Sequence, residues 1–237
     1  MTASSFHLWW EVPASVGGVV EARATLEVRV PPAVNQLYFW ALQVSFEDRG
    51  RQFGGAHTGL QWNPGAPEGA INWGGYHPAS VGVELAGTTS TLPPVPGDSG
   101  PNTRRWPWMP GRSYRLRVWS PAAGAWRAEV ADLVDGRTTV IRDLLVPATT
   151  LTSPVVWTEV FARCRDPLTE ARWSGLEVVD RDGRVAGINS VNVTYQAPSA
   201  GGCNNTLALA EGDTLVQRTG LDGPRPRQAA STLRLPA

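Results

Sequence analysis

The sequence contains no lysine: its 21 basic residues are all arginine, balanced by 21 acids to a formal net charge of zero. Proteins that grip nucleic acid through its phosphates carry a basic excess, so this balance argues against that partner. Histidine is scarce, with only His7, His57 and His77. A His-ligated metal site would need all three, or two and a carboxylate, so no cofactor is expected. Two cysteines, Cys164 and Cys203, allow one disulfide and no C-x-x-C metal site. In an oxidising compartment a bridge would tie the 191–205 segment to the strand carrying Glu159. In a reducing one both cysteines would be small apolar core residues. No apolar run approaches the roughly 18 residues of a membrane-crossing helix, and no membrane partner is expected. The start, Met1 to His7, has neither a basic n-region nor an apolar h-region. That reads as a cytoplasmic chain or a mature secreted form. The sequence also lacks a G-x-S-x-G elbow, an H-E-x-x-H motif and a phosphate-binding P-loop.

Glycine, proline and tryptophan are abundant, at 25, 20 and 11 residues. The first two argue against a helical bundle. Period-two alternation is the dominant pattern. From Val20 to Val30, the residues Val20, Ala22, Ala24, Leu26, Val28 and Val30 share one face, and Glu21, Arg23, Thr25, Glu27 and Arg29 the other. This predicts a strand with one buried and one wet face, stopped by Pro31-Pro32. Leu37 to Phe46 is apolar on both faces and predicts a central strand. Ala56–Trp62, Val81–Leu85, Ser113–Trp119, Trp126–Val134, Thr138–Val146, Val155–Arg163 and Arg172–Val179 follow, with the hairpin signal Asp135-Gly136 among them. The spacing predicts an all-β fold: a single β-sandwich over residues 1–220, of jelly-roll or concanavalin-like type, with about twelve short antiparallel strands. Residues 87–110 read as a long Pro/Gly/Trp loop able to act as a lid, and 221–237 as a C-terminal tail.

Several strings taken in order resemble an uncharacterised, Trp-rich bacterial β-sandwich family, labelled only as a domain of unknown function. They are Ser5-Phe6-His7-Leu8-Trp9-Trp10, His57-Thr58-Gly59-Leu60-Gln61, Pro110-Gly111-Arg112-Ser113-Tyr114, Trp126 with Asp135-Gly136 and Val146-Pro147, and Trp157-Thr158-Glu159-Val160-Phe161. The resemblance spans about residues 5 to 180. It implies a β-sandwich of the kind found beside carbohydrate-binding modules.

An indole face matches the C–H face of a pyranose, so tryptophans set among Gly, Pro and Asn are the natural ligand platform. The expected ligand-binding set is Trp40, Gln61, Trp62, Asn72, Trp73, His77, Trp106 and Trp108. His57 and Gln61 are four apart on a strand and face one side, with Gly59 opening a slot between them. Glu159 lies inside the apolar strand Val155–Phe161. A carboxylate there must be paired, with Arg163 for example, or carry a raised pKa, or face a cavity. The leading expectation is a non-catalytic carbohydrate- or glycoconjugate-binding module that takes a neutral small molecule or glycan. The alternative is an enzyme of hydrolase, lyase or cyclase type in a Trp-lined cavity, with Glu159 or His57 as its catalytic acid or base. A third reading is an assembly protein whose tryptophans cover a partner.

Overall fold

The computed structural model describes residues 3–78, 82–98, 100–226 and 231–236. The chain forms β1 (Ser4–Trp10), β2 (Val19–Val30), β3 (Tyr38–Asp48), β4 (Arg51–Asn63), β5 (Ala66–Tyr76), β6 (Thr103–Arg105), β7 (Ser113–Ala122) and β8 (Ala125–Asp132). It continues with β9 (Thr138–Leu145), β10 (Thr150–Val160), β11 (Thr169–Asp180), β12 (Val185–Gly187), β13 (Ser190–Tyr195), β14 (Leu207–Glu211), β15 (Thr214–Thr219) and β16 (Thr232–Arg234). The all-β sandwich is the fold expected, but the described residues hold sixteen strands rather than twelve. The added ones, such as β6, β12 and β16, are three residues long and too short to show alternation. Of the run expected at Val81–Leu85, Val81 lies outside the described residues, and Glu84 makes only an isolated bridge to Tyr76. Residues 227–230 and 237 of the expected tail also lie outside them. Thr232–Arg234 pairs with β13 and so extends the sheet.

Two antiparallel sheets face each other. The first runs β16-β13-β1-β10-β3-β4-β5-β6, and the second β14-β15-β11-β2-β7-β8-β9, with β12 on β11. Alternation explains their contact. Ala22, Ala24, Leu26 and Val28 of β2 are buried against Phe6 and Leu8 of β1, Trp40, Leu42, Val44 and Phe46 of β3, and their neighbours in one continuous core. Trp73, Trp126 and Trp173 are fully buried within it. An indole removed from water takes with it about 150–250 Å², or about 4–6 kcal/mol as an upper bound. Gln217 of β15 joins the sheets across this apolar layer. Its Oε1 accepts from Thr158 Oγ1 of β10 and from Trp173 Nε1 of β11, both at 2.9 Å, and its Nε2 donates to the Phe6 carbonyl of β1 at 3.0 Å.

The two outward faces differ in chemistry. On the second sheet, arginines and acids interleave across the strands. Arg117 of β7 pairs with Glu21 of β2 at 2.6 Å and Glu129 of β8 at 2.8 Å, and Arg23 pairs with Glu177 of β11 at 2.6 Å. On the first sheet the outward residues include Phe39, Ala41, Val155 and Trp157, which with Trp9 form a separate apolar cluster. A surface that gives up its charges in favour of aromatic side chains is the place to look for a ligand.

Candidate functional site

The outward face of the first sheet carries a groove of about 420 Å³, lined by Ser5, His7, Gln43, Gly55, His57, Tyr76, Trp157 and Glu159. Strand register assembles it. Glu159 of β10 lies opposite Ser5 of β1 on one side and Phe39 of β3 on the other. His57 of β4 lies opposite Gln43 of β3, and Gln43 is in turn opposite Val155 of β10. Trp157 is the floor. Its ring centroid sits 5.5 Å from His57, 6.1 Å from His7 and 4.9 Å from Phe39. The indole donates through Nε1 to Gln43 Oε1 at 3.1 Å. Because an indole N–H can only donate, this bond fixes the Gln43 amide with its NH₂ unpaired among the described residues.

Burial sets the protonation of the groove. Glu159 is half-buried and makes no ion pair or hydrogen bond among the described residues; desolvation alone raises its pKa above the ordinary carboxylate range. The ion pair to Arg163 that the sequence left open as one alternative is not formed. Arg163 instead donates its backbone N–H to Asp166. Desolvation lowers both histidines, with His57 at about 4. Burial therefore biases the carboxyl toward its protonated form and the imidazoles toward their neutral form.

A larger cavity, of about 660 Å³, opens at one end of the sandwich between Val12, Val16, Leu151, Pro154, Glu47, Asp48 and Arg181. It holds no histidine, and its carboxylates are already engaged. Glu47 accepts from the Gly50 N–H and the Gln52 side chain, and Asp48 accepts from the Thr149 hydroxyl. The smaller groove therefore has the better placed acid–base groups.

None of the expected ligand-binding residues lines the groove; Trp40 and Trp62 pack instead around Trp108, with ring centroids 5.8 and 6.2 Å from it. Trp40, Trp73, Trp106 and Trp108 are at most 6% exposed and lie in the core. Trp106 and Trp108 follow a Pro/Gly-rich segment, yet both turn into the core, with Trp108 Nε1 donating to the Gln61 carbonyl at 3.0 Å. Trp62 packs against the core and donates to the Val34 carbonyl. Gln61 and Asn72 are buried; Gln61 accepts from Asn63, and Asn72 donates to Thr103. His77 is exposed in the loop after β5, away from the groove lining. The slot expected at Gly59 is a close backbone approach: a Cβ there would meet the Trp40 carbonyl oxygen at 1.9 Å. Of the expected site residues, Glu159 and His57 share the groove. Sequence reasoning missed Gln43, His7, Ser5 and Trp157. Gln43 had a visible signal, as an amide inside an otherwise apolar strand. Among the described residues no group of three or more His, Cys, Asp or Glu is placed to hold a metal ion. Cys164 and Cys203 are bridged, with their Cα atoms 5.4 Å apart.

No family model matches the chain, and a search of curated proteins gives no match. Similarity to solved structures is distant. The crystal structure of Scytalido-glutamic peptidase with a peptide-based transition state analog is 12% identical, with a TM-score of 0.49 over 91% of this chain and 97% of that one. SCP-B, a member of the eqolisin family of peptidases in complex with the tripeptide Ala-Ile-His, is 11% identical, with a TM-score of 0.46 over 91% and 96%. Peanut lectin with a 9mer peptide is 11% identical, with a TM-score of 0.33 over 92% and 82%. The leading expectation of a non-catalytic, sugar-stacking module is corrected by where its tryptophans lie. Trp40, Trp73, Trp106 and Trp108 are core side chains, and Trp62 packs against them, so the expected stacking platform is not presented to a ligand.

Proposed function

We propose that the chain is an acid-acting hydrolase that cleaves an acyl bond, amide or ester, in the outward groove of the first sheet. The observation that carries this reading is Glu159: a half-buried carboxyl with no partner, its pKa raised, in one cavity with the lowered His57. Opposite shifts of this kind leave one proton donor and one proton acceptor available at the same mildly acidic pH.

In this reading His57 takes a proton from a water, whose oxygen attacks the substrate carbonyl carbon. The free Gln43 amide donates to the carbonyl oxygen as charge develops there. Glu159 gives its proton to the departing nitrogen or oxygen, and the proton on His57 then returns through solvent to Glu159. A glycosidase mechanism fits less well. It uses two carboxyl groups flanking the bond, and Glu159 is the one acidic residue lining the groove.

The test is turnover of an unfolded protein substrate and a panel of simple esters between pH 3 and 8. The reading expects a bell-shaped profile. Its acid limb is set by His57 near 4, and its alkaline limb by the raised Glu159. Glu159→Gln should lower the rate by roughly 10²- to 10⁴-fold. Activity retained within tenfold in that variant, or turnover of glycosides alone, overturns the assignment.

A further inference from the structure

The arginines of this protein are distributed against electrostatic expectation. Those on the open face of the second sheet have carboxylate partners, as Arg117 does. Arg104 and Arg142, among the most deeply buried charges in the described chain at 8% and 4% exposed, have none. An ionised guanidinium taken out of water without a counter-charge is strongly unfavourable.

The two converge on one short segment. Arg104 of β6 donates through Nη1 to the carbonyls of Gly100 and Thr103, at 2.8 and 2.9 Å. Arg142 of β9 donates through Nη1 to Asn102 Oδ1 at 3.0 Å. Each guanidinium offers five N–H donors, and these three bonds are all they make among the described residues. The Nε of each is buried with no partner. The charges are close enough that Arg104 helps, after desolvation, to lower the pKa of Arg142. Glu84, which acts in the opposite sense, is exposed and forms no ion pair with either. The residues outside the described set carry no acidic side chain. Gly87 makes room for the arrangement, since a Cβ there would lie 2.1 Å from Arg142 Nη2.

We propose that Arg104 and Arg142 form a binding site for a small oxyanion of the phosphate or sulfate type, held where β6 and β9 meet the 87–102 segment. Such an anion supplies the missing counter-charge and takes the unused N–H groups in charge-assisted bonds. It also clamps the Pro-rich segment to the sheet edge. Ser90 already donates to the Ile141 carbonyl there at 2.6 Å, and the Asn102 carbonyl accepts from the Trp73 N–H at 2.9 Å. The site is independent of the groove chemistry and shares none of its residues.

The experiment is thermal unfolding of protein purified in chloride buffer, titrated with sodium phosphate or sodium sulfate against sodium chloride at matched ionic strength. Both oxyanions stabilise proteins generally by exclusion, so the diagnostic is saturation and its dependence on the two arginines. The site expects a midpoint that rises and levels off within the millimolar range. Its half-saturation concentration should move up by roughly tenfold or more in Arg142→Met and in Arg104→Met. A rise that is linear in concentration, or a saturating one unchanged in both variants, overturns it. If neither variant folds, isothermal titration of the unaltered protein with phosphate and sulfate decides, and an absence of binding heat for both refutes the site.

Discussion

Removing Gln217 should cost this sandwich a large part of its stability. The residue is 1% exposed and holds three partners on three strands. Replacement by leucine keeps the size and apolar packing but leaves the Trp173 N–H and the Thr158 hydroxyl buried without acceptors. The Phe6 carbonyl loses a donor too, although a carbonyl has a second lone pair. Two orphaned donors at about 1–3 kcal/mol each give a loss of about 2–6 kcal/mol, set against a typical total of 5–15. Equilibrium urea unfolding followed by tryptophan fluorescence measures it as a fall in midpoint at constant slope. The partners also make a non-additivity test. Adding Thr158→Val to Gln217→Leu removes one orphan and should restore about 1–2 kcal/mol, so the double variant is more stable than the single. A loss below about 1 kcal/mol for Gln217→Leu, or a double variant less stable than the single, would refute the account of Gln217 as the polar tie between the sheets.

Three further outcomes follow from the same geometry. The Cys164–Cys203 bridge spans 39 residues of sequence, and closing a loop of that length restricts the unfolded chain by about 4 kcal/mol; Cys164→Ala/Cys203→Ala should unfold at correspondingly lower urea, and an unchanged midpoint argues that the bridge constrains nothing. Because the Glu159 pKa is raised on folding, its contribution to stability is full below about pH 4.5 and is lost as pH rises through the folded value; Glu159→Gln should therefore match the parent melting temperature near pH 4 and equal or exceed it at pH 7, and a less stable variant at pH 7 would mean the carboxylate has a stabilising partner. The lowered His57 works in the opposite sense, since the unfolded chain takes up its proton first; stability should fall on acidification between about 6.5 and about 4, and melting curves of His57→Gln should be flatter than the parent across that window.

Where one strand's pattern was enough, the sequence was readable. The alternation from Val20 to Val30 placed β2 and its buried face, and Ala22, Ala24, Leu26 and Val28 are where it put them. The two-sided apolar run at 37–46 marked β3 as central, and β3 sits between β10 and β4 with core on one face and the groove floor on the other. What failed was the sorting of tryptophans by neighbourhood. Gly and Pro around Trp106 and Trp108 suggested an open loop, but backbone composition does not say which way a side chain turns, and both indoles fold inward. The groove was half visible. Glu159 stood out as a charge in an apolar strand. Its placement with His57 depends on the pairing of β10 with β3 and of β3 with β4, over about a hundred residues of separation, which no local pattern encodes.

The interleaved arginines and acids on the outer face of the second sheet are neutral only while the acids are ionised. Acid removes the negative half and leaves the guanidiniums, which keep their charge. Glu170, held by Arg172 and Arg218 at 2.6 and 2.7 Å, has its pKa pulled below the ordinary value, so it yields late in the titration. The groove on the opposite face brings only His7, His57 and Glu159 to the titration. Acidification therefore leaves the back, with its row of guanidiniums, more cationic than the groove. On an anionic surface it should settle back-down, with the groove turned to solution at the pH where its carboxyl is protonated.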